Sequence, residues 1–96
     1  MRTLHLTLKK KWFDMIASGE KREEYREIKP YWNKRLRKGY DQIQFRNGYA
    51  KDAPVMVVEL KGMATSLGIV EWGAPEGQPV YILELGDIIS KSNRGA

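Results

Sequence analysis

Lys21, Glu24 and Arg26 fall within one short stretch, Ser18-Gly19-Glu20-Lys21-Arg22-Glu23-Glu24-Tyr25-Arg26, with Tyr31 and Trp32 just beyond it. An ammonium, a carboxylate and a guanidinium behind a glycine hinge suit one wall of a small cleft. The two cations would face phosphate or a carbonyl oxygen, while Glu24 holds Arg26 and accepts from a base or ribose. A lone Glu–Arg pair on a surface is worth only about 0–1 kcal/mol. Its company raises the functional reading: Lys21 beside it, Gln44 and Arg46 (with Gln42) on a possible neighbouring strand, and Glu59 within an apolar face. Tyr25, Tyr31, Trp32, Tyr40 and Tyr49 are candidate stacking surfaces for an unpaired base, at about 1–3 kcal/mol per base. In so small a domain each aromatic is more often packing. Trp32 is the one placed in the ligand cleft.

Catalysis needs a nucleophile or a base. Lys21 would serve if burial and the cations Arg22 and Arg26 lower its pKa, so Lys21 and Glu24 are the catalytic residues if the chain is an enzyme. Ser18, Thr65 and Ser66 offer hydroxyls, but no G-x-S-x-G pattern surrounds them. No Walker loop, dinucleotide fingerprint or paired-carboxylate metal motif occurs. His5 is the single histidine and there are no cysteines. A His-rich metal site, a thiolate site and a disulfide framework are thereby excluded, and a His-based triad is disfavoured. Neither metal nor cofactor is expected.

The net charge of +5 is regional. Residues 9–38 carry eleven Lys/Arg against five Asp/Glu, and the remainder six against seven. Lys9, Lys10, Lys11, Lys34, Arg35, Arg37 and Lys38 form the expected electrostatic track for a polyanion. A solvated, solubilising face is the plainer explanation, since such a charge is ordinary for a small domain. Ninety-six residues make one domain. No apolar run approaches the roughly 20 residues that span a bilayer, and the N-terminus lacks a signal-peptide core. A cytoplasmic monomer without membrane contact is expected.

These residues must be positioned by short elements. Residues 2–8 alternate, with Leu4, Leu6 and Leu8 on one face and His5 on the other, as in a half-buried strand. Trp12, Met15 and Ile16 fall at helical spacing, and Gly19 sits where a helix-ending glycine belongs. Three lysines in that helix's first turn oppose its dipole. Residues 21–27 form a short strand, whose alternation puts Arg22, Glu24 and Arg26 on one face and Lys21, Glu23 and Tyr25 on the other. Pro30 opens a second helix, with Trp32 and Leu36 inward, ended by Gly39. Strands follow at 40–46, 55–61 (stopped by Gly62), 67–72 and 80–85, with the apolar face of Val55 and Val57 interrupted by Glu59. A polar, disordered tail covers 90–96. The order β-α-β-α-β-β-β-β predicts an α+β, mostly β domain over 1–89: a small mixed barrel of about six strands with two short helices.

The pattern Gly19-x-Lys21-x-x-Glu24-x-Arg26 resembles the signature of the ASCH domains (activating signal cointegrator homology), which have a PUA-like β-barrel. The likeness extends to Leu4-His5-Leu6-Thr7-Leu8, Trp12-Phe13-Asp14-Met15-Ile16, Ile43-Gln44-Phe45 and Val57-Val58-Glu59-Leu60, most of residues 2–89. It implies RNA binding in a cleft lined by the motif, with a single strand or a modified nucleoside as partner and DNA as a further one. Some members are ribonucleases, and others are amidohydrolases acting on N(4)-acetylcytidine-type nucleosides through a lysine, a threonine and a glutamate. Lys21 matches that lysine. The hydroxyl residue three positions later is Glu24 here, so the amidohydrolase nucleophile has no counterpart.

Overall fold

Leu4, Leu6 and Leu8 are buried in β1 (Thr3–Leu8), and His5 between them is exposed. The strand opens a computed structural model of the protein that describes residues 1–92. Helix α1 (Lys10–Ala17) follows, burying Phe13 and Ile16 and packing Trp12 against the same core. Lys9 occupies its N-cap without a side-chain cap, and no acid stands in the first turn. The other end is well closed. Gly19 takes a left-handed φ of 86°, and the Lys21 backbone N–H donates to the Met15 carbonyl at 2.9 Å.

Strand β2 (Glu23–Arg26) comes next, then α2 (Pro30–Leu36), with proline in its first turn and Leu36 buried. Three longer strands complete the chain: β3 (Gln42–Asn47), β4 (Val55–Leu67) and β5 (Pro79–Ser92). They form one five-stranded sheet in the order β1-β3-β4-β5-β2. Only β1–β3 is parallel, joined by the crossover through α1, β2 and α2; the other pairs are antiparallel. The core lies on the face of Ile43, Phe45, Met56, Val58, Leu83 and Leu85, each at most 4% exposed.

The α+β, mostly β class with two short helices therefore holds, and several details change. Among the described residues there are five strands rather than about six and no ladder joins β1 to β2, so the sheet is not closed into a barrel. Gly62 does not stop a strand at 61. The β4–β5 ladder runs on to Leu67↔Pro79, with register shifts between Val57 and Gly62. Those irregularities bend the pair, which lets one strand serve both ends of the sheet. Residues 67–72 do not form a further strand: Leu67 ends β4, and Val70–Trp72 form a 3₁₀ turn. Its anchors are tertiary: the Ile69 N–H donates to the Tyr25 hydroxyl at 3.0 Å, and the Trp72 carbonyl accepts from Lys21.

The last strand does not end at 85, and residues 90–92 of the expected disordered tail are paired with β4. The rest of that tail, 93–96, lies outside the described residues. The face of β4 in the main core is that of Met56 and Val58, 0% and 1% exposed; on the alternate face Val55 is also buried, whereas Val57 is half-buried. Among the described residues no helix is long and apolar enough to cross a membrane.

Candidate functional site

The close of α1 delivers Lys21 into the protein. Its side chain is 2% exposed, and its Nζ donates to the Trp72 carbonyl at 2.5 Å and pairs with Glu24 Oε1 at 3.1 Å. The ammonium also lies 4.6 Å from the Trp12 ring centroid and 5.5 Å from that of Tyr25. Two oxygens and two π faces thus replace water around a buried cation. Burial still holds the Lys21 pKa below its ordinary 10.5; Glu24 opposes that shift and Arg26 reinforces it.

Glu24 spans two cations. Its other oxygen, Oε2, accepts from Arg26 Nη2 at 2.5 Å, and the Glu24 side chain is 7% exposed against 19% for Arg26. Alternation along β2 had set Lys21 opposite Glu24 and Arg26, yet Lys21 meets Glu24. Lys21 precedes the first residue of β2, so the helix-closing turn and not the pleat sets its direction. Arg26 Nε is buried and has no hydrogen-bond partner among the described residues.

The guanidinium of Arg26 lies 5.1 Å from the Trp32 ring centroid and that of Arg35 lies 5.2 Å from it. Arg35 then donates to the His5 carbonyl of β1 at 3.0 Å. Side chains of β2 and α2, with a backbone carbonyl of β1, therefore bridge the seam that no ladder closes.

Arg26 lines one cleft, and its cross-strand partner Tyr81 lines another. The larger, about 610 Å³, lies between α2 and the far halves of β4 and β5, lined by Asn33, Leu36, Arg37, Met63, Thr65 and Tyr81. Tyr81 is the cross-strand partner of Arg26, which places both side chains on one sheet face. The smaller, about 340 Å³, is lined by Tyr25, Arg26, Glu27, Gly73, Gln78 and Val80. A third hollow of about 160 Å³ touches Lys21 beside Gly86 and Asp87.

Comparison with known protein families, curated proteins and solved structures finds no match for this chain. The geometry alone must carry its function.

Of the expected site residues, the structure brings together Lys21, Glu24, Arg26 and Trp32. Gln44 and Arg46 stand elsewhere, on the face of β3 that alternates with the buried Ile43 and Phe45. Arg46 donates to the carbonyls of Ala50 and Lys51, bracing the β3–β4 loop. Glu59 is opposite Gln42 in register and exposed, with its carboxylate over Gly86. These three belong to the outer side of the sheet.

Among the aromatics, Tyr25 is buried with its hydroxyl bonded to Glu23, and Tyr40 donates to the Arg35 carbonyl. Tyr31 and Tyr49 are exposed. Lys9, Lys10, Lys11, Lys34, Arg37 and Lys38 are exposed, whereas Arg35 is half-buried. Lys10 is paired with Asp14 at 2.5 Å. Sequence reasoning missed Asn33 and Tyr81. Asn33 sits one helical turn before Arg37, a spacing that marks one face of α2.

Proposed function

We propose that the chain is a PUA-like domain of the ASCH kind that binds single-stranded RNA, or a nucleoside-containing ligand, along Arg26. One observation carries this: Arg26 is the member of the charged trio that reaches the surface, fixed by Glu24 and Trp32 at the wall of the smaller cleft, with its cross-strand partner Tyr81 in the larger. A guanidinium held in place loses little entropy when it grips a phosphate or a carbonyl oxygen. Lys21 and Glu24, both buried, act beneath it as the scaffold that holds it in place. The exposed Lys34, Arg37 and Lys38 extend positive charge from the larger cleft. A bent sheet whose seam is bridged by side chains supports the likeness to a PUA-like barrel.

Hydrolysis in the same place, of RNA or of a modified nucleoside, is the competing reading. Lys21, buried and bonded on two sides, offers it no accessible nucleophile. The deciding experiment is a tryptophan-fluorescence titration with single-stranded RNA at several salt concentrations, in chelator, with RNA integrity checked afterwards. Binding that weakens steeply with salt and leaves the strand intact supports the proposal. Cut RNA brings the nuclease forward. No binding at low salt rejects the polynucleotide reading.

A further inference from the structure

The larger cleft holds an arrangement that the charged motif does not use. The Tyr81 hydroxyl donates to Asn33 Oδ1 at 2.5 Å, which fixes the Asn33 amide and leaves both Nδ2 protons for another acceptor. Having given its proton to Asn33, the Tyr81 oxygen is itself an acceptor. A donor thus stands beside an acceptor, pinned by a bond between α2 and β5. Arg37, one helical turn after Asn33, lines the same cleft, is exposed, and is the single charged residue of its lining. Leu36 and Met63 supply apolar wall, and Thr65 a hydroxyl.

The ligand that answers this set is flat, carries a donor next to an acceptor on one edge, and bears an anion. An unpaired nucleotide has those features: every base presents a donor beside an acceptor on its pairing edge, and the phosphate is the anion. At about 610 Å³ the cleft is within the range of small-ligand sites. We infer that the α2–β4–β5 cleft takes one unpaired nucleotide, its base edge read by Asn33 and Tyr81 and its phosphate held by Arg37. The inference rests on the nucleic-acid reading above and adds to it a base-reading pair outside the charged motif. Tyr81 acts here as a positioning residue as well as an acceptor, because it sets the plane of the Asn33 amide.

The test is an NMR titration of the whole chain with uridine 5′-monophosphate and, separately, ribose 5-phosphate, with single-stranded RNA run in parallel. Uridine monophosphate is expected to shift the amides of Asn33, Thr65 and Tyr81 and to bind about three- to tenfold tighter than the sugar phosphate, the worth of one or two hydrogen bonds. Asn33→Asp keeps the acceptor for Tyr81 but removes both donors. It should bring the base-dependent advantage to near one, and Tyr81→Phe should do the same. Arg37→Gln should weaken both ligands alike. Unchanged thermal midpoints show that each variant still folds. An advantage untouched by Asn33→Asp and Tyr81→Phe, or shifts confined to other surfaces, overturns the inference; if RNA still binds, the RNA reading survives it. Binding of neither RNA nor mononucleotide overturns both.

Discussion

Arg26 and Arg35 bring their guanidinium carbons to within 5.1 and 5.2 Å of the same indole, that of Trp32. One cation comes from the edge strand β2, and the other reaches from α2 to the His5 carbonyl of β1. The ring is therefore the keystone of the gap between the two sheet edges. It follows that Trp32 is already covered and would meet a base by contact through Arg26 rather than by open stacking. Trp32→Ala is expected to cost about 2–4 kcal/mol in urea unfolding, from lost packing and two cation–π contacts. Trp32→Phe should cost about half as much. A Trp32→Ala loss under about 0.5 kcal/mol, no more than an ordinary surface substitution, would show that the seam is held by other contacts.

The buried trio separates by variant. Glu24→Ala leaves Lys21 in the interior with one carbonyl for company and frees Arg26; breaking a buried pair in this way costs about 3–5 kcal/mol. Lys21→Met removes the charge that needs pairing while filling much of the space, and Glu24 keeps Arg26. Its cost should be the smaller of the two. Equilibrium urea unfolding of both variants measures the difference, and equal losses would mean that the pair is not the unit of stability.

Much of this frame is legible in the residues themselves. Alternation in β1, helical spacing at Trp12 and Ile16, and the Pro30–Gly39 bracket of α2 all carry a local period that the fold keeps. What escapes is tertiary. Residues 67–72 look like a strand because Leu67, Ile69 and Val70 are apolar, but all three are exposed and a backbone held by Tyr25 and Lys21 turns there instead. Gly62 looks like a stop because a glycine in a strand marks either an end or a bulge, and only the length of β5 decides which. The Lys21–Glu24 contact is hidden for the same reason: it depends on a turn that no alternation describes. Gln44, Arg46 and Glu59 would share the cleft only in a closed barrel mouth, and in the open sheet they lie on the side away from the core.

Alkaline pH separates two buried groups. Lys21 has its pKa lowered, chiefly by burial, so between its folded value and 10.5 the unfolded chain binds more protons and stability rises with pH. Tyr25 is the opposite case: burial first, then its bond to Glu23, raise its pKa far above 10.0, against the Ile69 N–H. Above 10.0 the unfolded chain ionises this tyrosine while the folded chain keeps it protonated, so stability falls. Urea unfolding followed across the alkaline range should show the rise vanish in Lys21→Met and the fall soften in Tyr25→Phe. A rise that persists in Lys21→Met would assign it to another group.

Gly68 is where β4 hands over to the 3₁₀ turn, and a Cβ there would lie 2.6 Å from the Tyr25 ring and 2.7 Å from Ala74. Neither neighbour can yield freely, since Tyr25 is buried and bonded to both Glu23 and Ile69. Gly68→Ala is expected to cost about 1–3 kcal/mol as overpacking. Because Tyr25 also borders the smaller cleft beside Arg26, RNA affinity should drop with stability in this variant. Thermal unfolding and the fluorescence titration together check it; a neutral result in both would show that the turn adapts.

Salt dependence distinguishes the two basic clusters. Each phosphate contact contributes close to one unit to the slope of log affinity against log salt on a duplex and about 0.7 on a single strand. Lys10 is paired with Asp14, and Lys11 lies 4.6 Å from the Trp12 ring centroid, so both are already engaged within α1. Lys34 on α2 and Lys38 just beyond its end are exposed, close in sequence to Arg37 of the larger cleft. Neutralising Lys34 and Lys38 with glutamine should therefore flatten the RNA salt slope by about 1.4 units in all, while Lys10→Gln leaves it unchanged. Fluorescence titrations at four salt concentrations resolve a difference of that size. A slope that responds to Lys10 and not to the α2 lysines would move the polyanion track to the other end of the molecule and detach it from Arg26.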